Sequence, residues 1–242
     1  MNFGIIAAGD GSRLVEEGVS YPKPLVPLLG EPMIGRLIRI FEENGAGMVC
    51  IVVNEHMTDV REYVERIASR SKTEIKLVVK TTPSSMHSFY EISNFLKGHG
   101  RFIVTTVDTI FKEEDFSKYV DAFKASPDNV DGMMALTEYI DDEKPLYVKT
   151  DAEMNITAFL DLPDGHPERS GNFVSGGIYG LGDSSVKVLE DSMAAGTSRM
   201  RNFQRALISA GLNIKGYDMG KIIDVDHADD IRKAETFLRS SF

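Results

Sequence analysis

A short stretch of small residues near the start of the chain is suited to binding an anion. Residues 3–8 form an apolar run that is typical of a buried strand. Gly9, Gly11 and Ser12 follow this run and leave the backbone uncovered. Successive N–H groups in such a loop can surround an anion, and Arg13 adds a planar group of five donors that matches phosphate. The stretch therefore predicts a phosphate-binding loop.

A lysine between two prolines lies ten residues beyond Arg13. Pro22 and Pro24 restrict the backbone on both sides of Lys23, so its ammonium group is held in a defined direction. The chain lacks a GxxxxGK[ST] loop, and Leu14 stands where a dinucleotide fingerprint has its third glycine. The alternative, a tight strand-to-helix turn with a solvated arginine, leaves the lysine unexplained. Two cations near a bare loop indicate a polyphosphate site.

Both segments resemble the signature of the nucleotidyltransferases that join a nucleoside triphosphate to a phosphorylated sugar or alcohol. The matching sequences are AAGDGSRL at residues 7–14 and PKPLVPLLGEPMI at residues 22–34. The resemblance implies an enzyme of this kind in which Arg13 and Lys23 are catalytic. It also implies that the first segment binds the nucleotide through Ala7, Ala8, Gly9, Gly11 and Ser12.

The composition fits an enzyme that acts on small anions. A net charge of −10 over 242 residues, with a pI near 5.0, argues against a nucleic-acid partner. The single cysteine, Cys50, lies in an apolar run and excludes a disulfide framework, as expected in a reducing cytoplasm. No apolar run approaches the roughly 20 residues that cross a bilayer, and no basic leader precedes an apolar segment. We therefore expect a cytoplasmic protein with no membrane partner.

Strand and helix patterns alternate along the first half of the chain. Apolar runs predict strands at residues 3–8, 48–54, 75–79 and 102–107, and helical spacing predicts helices at 33–44, 59–69 and 86–97. Such a series predicts an α/β fold with a mostly parallel, Rossmann-like central sheet and helices on both faces. The ligand cleft should then lie at the carboxyl ends of the strands.

The pattern changes to shorter strands from residue 131, which we interpret as a small acceptor-binding lobe. We expect one domain over residues 1–242. Its parts are a nucleotide-binding half at 1–130, the acceptor-binding lobe at 131–220, and a closing strand and helix at 221–242.

An aspartate at the end of the fourth predicted strand is a candidate metal ligand. If the strands are parallel, Asp108 projects at the same sheet edge as the phosphate loop. In phosphoryl-type transfer, Mg²⁺ is commonly held by one or two carboxylates. An aspartate in this position can also serve a turn, but the resemblance places the family's first metal-binding aspartate at such a strand end. We therefore assign Asp108 to Mg²⁺.

The segment KIIDVDHADDIRKAE supplies two further acids. It resembles the closing strand-to-helix element of the family, which implies that Asp226 completes the metal site and that Asp224 is a further ligand. Positions two apart on a strand face the same side, so both can point at one cation. The alternative is that Asp226 caps the following helix, with Asp229 in its first turn. His227, beside it, is more typical of a structural residue.

The segment TTPSSMHSFYE resembles the loop that contacts the nucleobase in this family. The resemblance implies nucleotide contacts from Ser84 and Ser85, and Ser85 is a candidate N-cap of the next helix. The usual glycine- and threonine-rich form of this loop is absent, so the identity of the base stays open.

The segment NFVSGGIYGL resembles the acceptor strand of the family, in which Ser175, Gly176 and Gly177 let a ligand approach the backbone. The alternative is a bulged strand with ordinary glycines. Sugar-specific members carry Glu-Lys-Pro before this strand, whereas this chain has Asp161 and Leu162 in place of the Glu and Lys. This departure argues against a hexose 1-phosphate and keeps a phosphocholine- or polyol-phosphate cytidylyltransferase as the alternative. A sugar 1-phosphate is still the favoured acceptor from the resemblance as a whole.

The expected chemistry is attack of an acceptor phosphate on the α-phosphorus of the triphosphate, with release of pyrophosphate. Arg13 would hold the β and γ phosphates, and Lys23 would lie between the α-phosphate and the acceptor phosphate. A glycosyltransferase is an alternative class of enzyme, but it does not need two cations that bind a triphosphate. A non-catalytic nucleotide-binding regulator is a further alternative, expected to lack the lysine or a metal aspartate, and this chain has all of them.

Overall fold

The computed structural model describes residues 1–141, 143–161 and 173–240. Its strands are β1 (Asn2–Ala7), β2 (Pro27–Leu28), β3 (Glu31–Pro32), β4 (Met48–Val53), β5 (Glu74–Val79), β6 (Phe102–Thr106), β7 (Thr109–Ile110), β8 (Gly132–Thr137), β9 (Tyr147–Thr150), β10 (Ile156–Leu160), β11 (Phe173–Leu181), β12 (Ile214–Asp218) and β13 (Ile223–Asp224). Its α-helices are α1 (Ser12–Glu16), α2 (Met33–Glu43), α3 (Thr58–Ala68), α4 (Ser85–Leu96), α5 (Glu113–Ala125), α6 (Asp183–Ala194), α7 (Met200–Ser209) and α8 (Ala228–Arg239).

The central sheet begins with four parallel strands in the order β5-β4-β1-β6. Strand β11 runs antiparallel to β6 and continues the sheet toward β8 and β12, and the β9–β10 pair joins β11 near its start. Helices α2, α3, α5 and α8 cover one apolar face, whereas α4, α6 and α7 cover the other. The predicted α/β class, with a mostly parallel sheet and helices on both faces, is confirmed.

The predicted strands and helices of the first half agree with the structure to within one or two residues. Helices α5, α6 and α7 are elements that the sequence reasoning did not identify. An aromatic stack packs α2 and α5 against β1 and the segment after β7. Its ring centroids are 4.5 Å apart for Phe3–Phe41, 5.5 Å for Phe41–Phe116 and 4.8 Å for Phe111–Phe116.

The strand order changes direction between β1 and β6. Strands β4 and β5 follow on one side of β1, and β6 lies on the other with Ile6 opposite Thr106. Open α/β sheets bind their ligands at such a switch point, outside the carboxyl ends of the strands. The phosphate loop and Asp108 both leave the sheet at this point. No α-helix in the described part of the chain is both long and apolar enough to cross a bilayer.

Candidate active site

A buried asparagine holds the phosphate loop at the end of β1. The side-chain amide of Asn54, at the end of β4, donates to the carbonyl of Ala8 at 3.2 Å and to the carboxylate of Asp10 at 2.8 Å. Its carbonyl oxygen accepts the hydroxyl of Thr81 at 3.0 Å. Asn54 is 1% exposed, so these bonds satisfy a group that would be costly to bury alone. The sequence reasoning missed this residue because no motif contains it.

The two glycines of the loop serve different purposes. Gly11 has a φ of +61°, and a Cβ placed there would lie 2.8 Å from the Cβ of Lys23. A Cβ on Gly9 would meet nothing within 4 Å. Gly11 therefore permits the lysine to approach the loop, whereas Gly9 leaves open space for a ligand.

The Lys23 ammonium lies between two carboxylates. It forms ion pairs with Asp108 and, at 2.6 Å, with Oδ1 of Asp226, and its side chain is only 12% exposed. Arg13 contacts Oδ2 of Asp226 at 3.0 Å. The four charged residues proposed from the sequence as the centre of the site are thus connected to one another.

Electrostatics keep this arrangement charged. Burial alone lowers the pKa of Lys23, but the charges of Asp108 and Asp226 outweigh burial and raise that pKa above its ordinary value. Burial likewise favours the neutral form of Asp108, yet the charge of Lys23 and its hydrogen bond bring the pKa of Asp108 below its usual range. Both groups are therefore ionised at neutral pH.

The cap interpretation of Asp226 is wrong. The N-cap of α8 is His227, whose backbone N–H donates to Asp230 at 2.9 Å, and the next N–H, from Ala228, donates to Glu17 at 2.6 Å. The helix therefore begins one residue later than an aspartate cap would require. The carboxylate of Asp226 faces Lys23 and Arg13 instead.

Strand pairing brings the closing segment to Asp108. Strand β13 pairs with β7, with Asp224 opposite Thr109, and the N–H of Val225 donates to the carbonyl of Asp108 at 3.1 Å. The described residues contain no group of three His, Cys, Asp or Glu side chains arranged to hold a metal ion. Asp108 and Asp226 nevertheless share one cation, the lysine, and paired carboxylates match the hard-oxygen ligands that Mg²⁺ takes.

The first cleft, of about 360 Å³, is formed at the switch point. Arg13, Lys23, Asp108 and Asp226 line it. It is also lined by every residue that the sequence predicts to bind the nucleotide, namely Ala7, Ala8, Gly9, Gly11, Ser12, Ser84 and Ser85. The prediction that Ser85 caps α4 is wrong, because Ser84 occupies the N-cap position. The Ser84 hydroxyl pairs with Nδ1 of His87 at 2.9 Å and accepts the N–H of Arg199 at 3.1 Å.

The second cleft, of about 340 Å³, adjoins the first. The two share Ser85, Thr106, Asp108 and Asp226. The second cleft is also lined by Asp224, Ser175 and Gly177. Three cationic residues line it as well: Lys144, Arg199 and Arg201. Carboxylates that belong to both clefts therefore lie where two bound anions would meet.

Close packing inside the protein requires glycine at two positions of β11. A Cβ on Gly176 would collide with Ile222, and one on Gly177, where φ is +73°, would lie 2.5 Å from the hydroxyl of Thr109. The register of β11 against β8 shifts between Ser175 and Tyr179. Gly176 lines a smaller neighbouring pocket instead of the second cleft. A direct role of these residues in acceptor binding stays a prediction.

The three cations of the second cleft were not identified from the sequence. Arg201 contacts Asp161 at 2.7 Å and the carbonyl of Lys144 at 2.8 Å. Arg199 has a φ of +72°, a conformation that costs a residue with a side chain about 1–3 kcal/mol and that concentrates at functional sites. Leu162, which the sequence places at the other departure from the sugar-specific pattern, lies outside the described residues.

Similarity to known proteins extends over nearly the whole chain. A family model for nucleotidyl transferases matches residues 4–241. The chain belongs to the nucleotidyl transferase family. It is 26% identical over 235 residues to the bifunctional protein GlmU of Methanococcus maripaludis strain C5, and 24% identical over 237 residues to that of Methanococcus vannielii. These matches cover 96% and 93% of this chain, which spans about half of each relative, 53% in both cases.

Solved structures of similar fold cover nearly the whole chain. One is a putative glucose-1-phosphate thymidylyltransferase from Bacillus anthracis, with a TM-score of 0.81 and 20% identity over 100% of this chain and 96% of the other. Another is the inositol-1-phosphate CTP transferase from T. maritima, with a TM-score of 0.77 and 16% identity over 99% and 96%. The fold of this nucleotidyl transferase family member is therefore shared with proteins whose names specify different bases and acceptors.

The loop glycines give a first prediction. Gly11→Ala should lower the free energy of unfolding by about 1–2 kcal/mol or more, because the left-handed backbone is strained for alanine and the new methyl meets Lys23. Gly9→Ala, the matched control, should stay within about 0.5 kcal/mol of wild type. Urea unfolding measures both. Equal losses in the two variants would contradict the assignment of distinct roles.

Asp226 gives a second prediction. Asp226→Asn should change stability by less than about 1 kcal/mol, because this half-exposed residue does not cap α8. It should raise the Mg²⁺ concentration needed for half-maximal activity, because it removes a hard anionic ligand. Asp230→Ala is the contrasting variant for stability, expected to lose about 1–3 kcal/mol because its carboxylate accepts backbone N–H groups at the start of α8. Unchanged Mg²⁺ dependence and turnover in Asp226→Asn would exclude the ligand role.

Proposed function

We propose that this protein transfers a nucleotidyl group from a nucleoside triphosphate to a phosphomonoester, with a sugar 1-phosphate as the favoured acceptor. The observation that carries the proposal is the meeting of two clefts at Asp108 and Asp226, which both pair with Lys23. Each cleft has its own cations, Arg13 in the first and Arg199 with Arg201 in the second. Two phosphate-bearing substrates bound in this way would meet at the carboxylates.

The reaction requires no protein nucleophile. A phosphate oxygen of the acceptor attacks the α-phosphorus, the new P–O bond forms in line, and the bond to pyrophosphate breaks. Arg13 would hold the departing β and γ phosphates, and Lys23 would neutralise charge where the two substrates meet. Asp108 and Asp226 would hold Mg²⁺, with Asp224 as a further ligand. Bound there, the ion would supply neutralisation of phosphate charge.

The residues of the second cleft support its assignment to the acceptor. Arg199 and Arg201 line this cleft, and a guanidinium group can bind phosphate with two parallel hydrogen bonds. On this proposal, residues 1–130 bind the nucleotide and residues 131–220 bind the acceptor. The names of the two solved structures, one a glucose-1-phosphate and one an inositol-1-phosphate transferase, favour a hydroxylated acceptor. A phosphocholine- or polyol-phosphate cytidylyltransferase is the second candidate, because Asp161 stands where sugar-specific members carry Glu, and it pairs with Arg201 and Arg205. We place the reaction in the cytoplasm.

A substrate screen gives the third prediction. The purified protein should release pyrophosphate when one nucleoside triphosphate, one phosphomonoester and Mg²⁺ are present together, and chelation of the metal should stop the release. The panel should pair the common triphosphates with hexose 1-phosphates, inositol 1-phosphate and phosphocholine. Triphosphate binding without pyrophosphate release from any pair would instead indicate a non-catalytic nucleotide-binding module.

The two cations of the first cleft give the fourth prediction. Lys23→Ala should lower kcat by about two to three orders of magnitude, because the charge acts where the substrates meet, with a smaller effect on triphosphate affinity. Arg13→Ala should weaken triphosphate binding as well. Lys76→Ala is the control, since this half-exposed lysine pairs with Glu74 at β5, the edge strand of the sheet.

Stability separates the structural from the chemical role of Lys23. Its removal leaves the partly buried Asp108 without a counter-charge, which should cost on the order of 3 kcal/mol. Added Mg²⁺ should raise the Tm of Lys23→Ala more than that of wild type, because the ion can take the place of the ammonium. Equal loss of binding and turnover in both cleft variants would contradict the division of roles.

A further inference from the structure

A buried side-chain amide lines the second cleft at helix α7. Gln204 is only 2% exposed, and it lies one turn beyond Arg201, which lines the same cleft. Its oxygen accepts the hydroxyl of Ser175 at 2.9 Å. No group in the described part of the chain accepts a bond from its amide nitrogen, and this nitrogen is not among the atoms there that are sealed from solvent without a partner. The amide nitrogen therefore opens into the cleft.

The hydrogen bonds around Ser175 determine which end of the amide faces the cleft. Tyr179 hydrogen bonds to Ser175 from the other side, and burial raises the pKa of the Tyr179 phenol, so the phenol keeps its proton at neutral pH. The phenol can then donate to Ser175, while Ser175 donates its own single proton to the oxygen of Gln204. Each hydroxyl proton is used once, and the two N–H donors of Gln204 are left for the cleft.

Two side chains separate this amide from the carboxylates of the site. Ser175 contacts Gln204 on one side and Tyr179 on the other, and the charges of Asp224 and Asp108 act on the Tyr179 phenol. All five residues line the second cleft. A ligand whose phosphate lies near the carboxylates would therefore extend its remaining atoms along this row toward the amide.

An uncharged donor suits a neutral oxygen of the ligand. For the phosphate of an acceptor, the cleft already contains Arg199 and Arg201, and charged donors bind phosphate more strongly than an amide does. A hydroxyl or a ring oxygen is a neutral group that accepts a bond from an amide N–H. A quaternary ammonium group has no lone pair to accept this bond, so packing it against the amide would leave buried donors unpaired.

We propose that Gln204 is a specificity-determining residue, whose amide nitrogen binds a hydroxyl or ring oxygen of the acceptor, so that the second cleft selects a hydroxylated phosphomonoester over phosphocholine. The proposal rests on the proposed function only in assigning the acceptor to this cleft. Sites that hydrogen bond to a substrate hydroxyl discriminate against an analogue without it, because polar groups of the site are then buried unpaired. Ser175 acts through Gln204, as the residue that orients the amide.

The test measures acceptor binding without turnover. The protein is saturated with Mg²⁺ and with α,β-methylene analogues of the common nucleoside triphosphates, which cannot transfer a nucleotidyl group, and each acceptor is titrated by calorimetry. Glucose 1-phosphate and inositol 1-phosphate have hydroxyls, whereas cyclohexyl phosphate and phosphocholine have none. Gln204→Met keeps the length of the side chain and removes the amide. Its Kd should rise about tenfold for the hydroxylated acceptor that wild type binds more tightly, and should stay within about twofold of wild type for the two hydroxyl-free compounds.

Another amide on the same helix provides the matched control. Asn202 donates to the carbonyl of Ser198 at 2.8 Å and lines neither cleft. Asn202→Met should bind all of the compounds within about twofold of wild type. If Gln204→Met does not fold, wild type alone tests the proposal, because it should bind a hydroxylated acceptor at least about tenfold more tightly than cyclohexyl phosphate.

The proposal would be overturned by wild-type protein that binds the hydroxyl-free compounds as tightly as the hydroxylated ones, or that binds no hydroxylated acceptor. Unchanged discrimination in Gln204→Met, or an equal loss for all of the compounds in that variant, would overturn it as well. Pyrophosphate release by wild type would still support the proposed function in each of these cases. The expected binding pattern without pyrophosphate release from any pair of substrates would contradict the proposed function and leave the role of Gln204 supported.

Discussion

The site is organised around one lysine ammonium held between two aspartates. The sheet directs the carboxylates of Asp108 and Asp226 to one point, and like charges at such a point need a cation. Lys23 supplies it from a segment with a proline on either side. Gly11 allows the lysine to come close, and the β7–β13 pairing brings the closing segment within reach. Each of these features has a physical reason only in relation to the charge at the centre.

The ion pairs of Arg13 and Lys23 with Asp226 must affect how a triphosphate binds. Arg13 and Lys23 both contact Asp226, yet both are also the groups that a triphosphate would take as partners. A bound triphosphate competes with the carboxylate for these cations, and a carboxylate released from them needs a new counter-ion. Divalent cations have a higher charge and accept phosphate and carboxylate oxygens together. Triphosphate and metal binding should therefore be thermodynamically linked, each increasing the affinity for the other.

The sequence predicted the residues of the first cleft better than it predicted their contacts. The loop glycines, Arg13 and Lys23 could be recognised because they belong to two short sequence motifs, whose residues are neighbours in the chain. Asn54 and Arg199 could not, since their partners lie far away in the chain and no local pattern records them. The alternative that Asp226 caps α8 fails for a related reason. Asp226 was available as a cap by spacing alone, but its tertiary ion pairs take the carboxylate, and Glu17 from another segment satisfies the helix instead.

The arrangement of the clefts explains how one centre can serve different substrates. The shared wall contains Asp108 and Asp226, whereas Ser84 lines only the first cleft and Arg201 lines only the second. Under the proposed function, changes at the outer parts would alter the preferred base or acceptor without moving Asp108 and Asp226. The contact between Ser84 and the strained Arg199 is the exception, because it joins the first cleft to the second directly. Variation in base recognition at this loop would therefore also shift a cation of the second cleft, which makes the two specificities dependent on each other at that point.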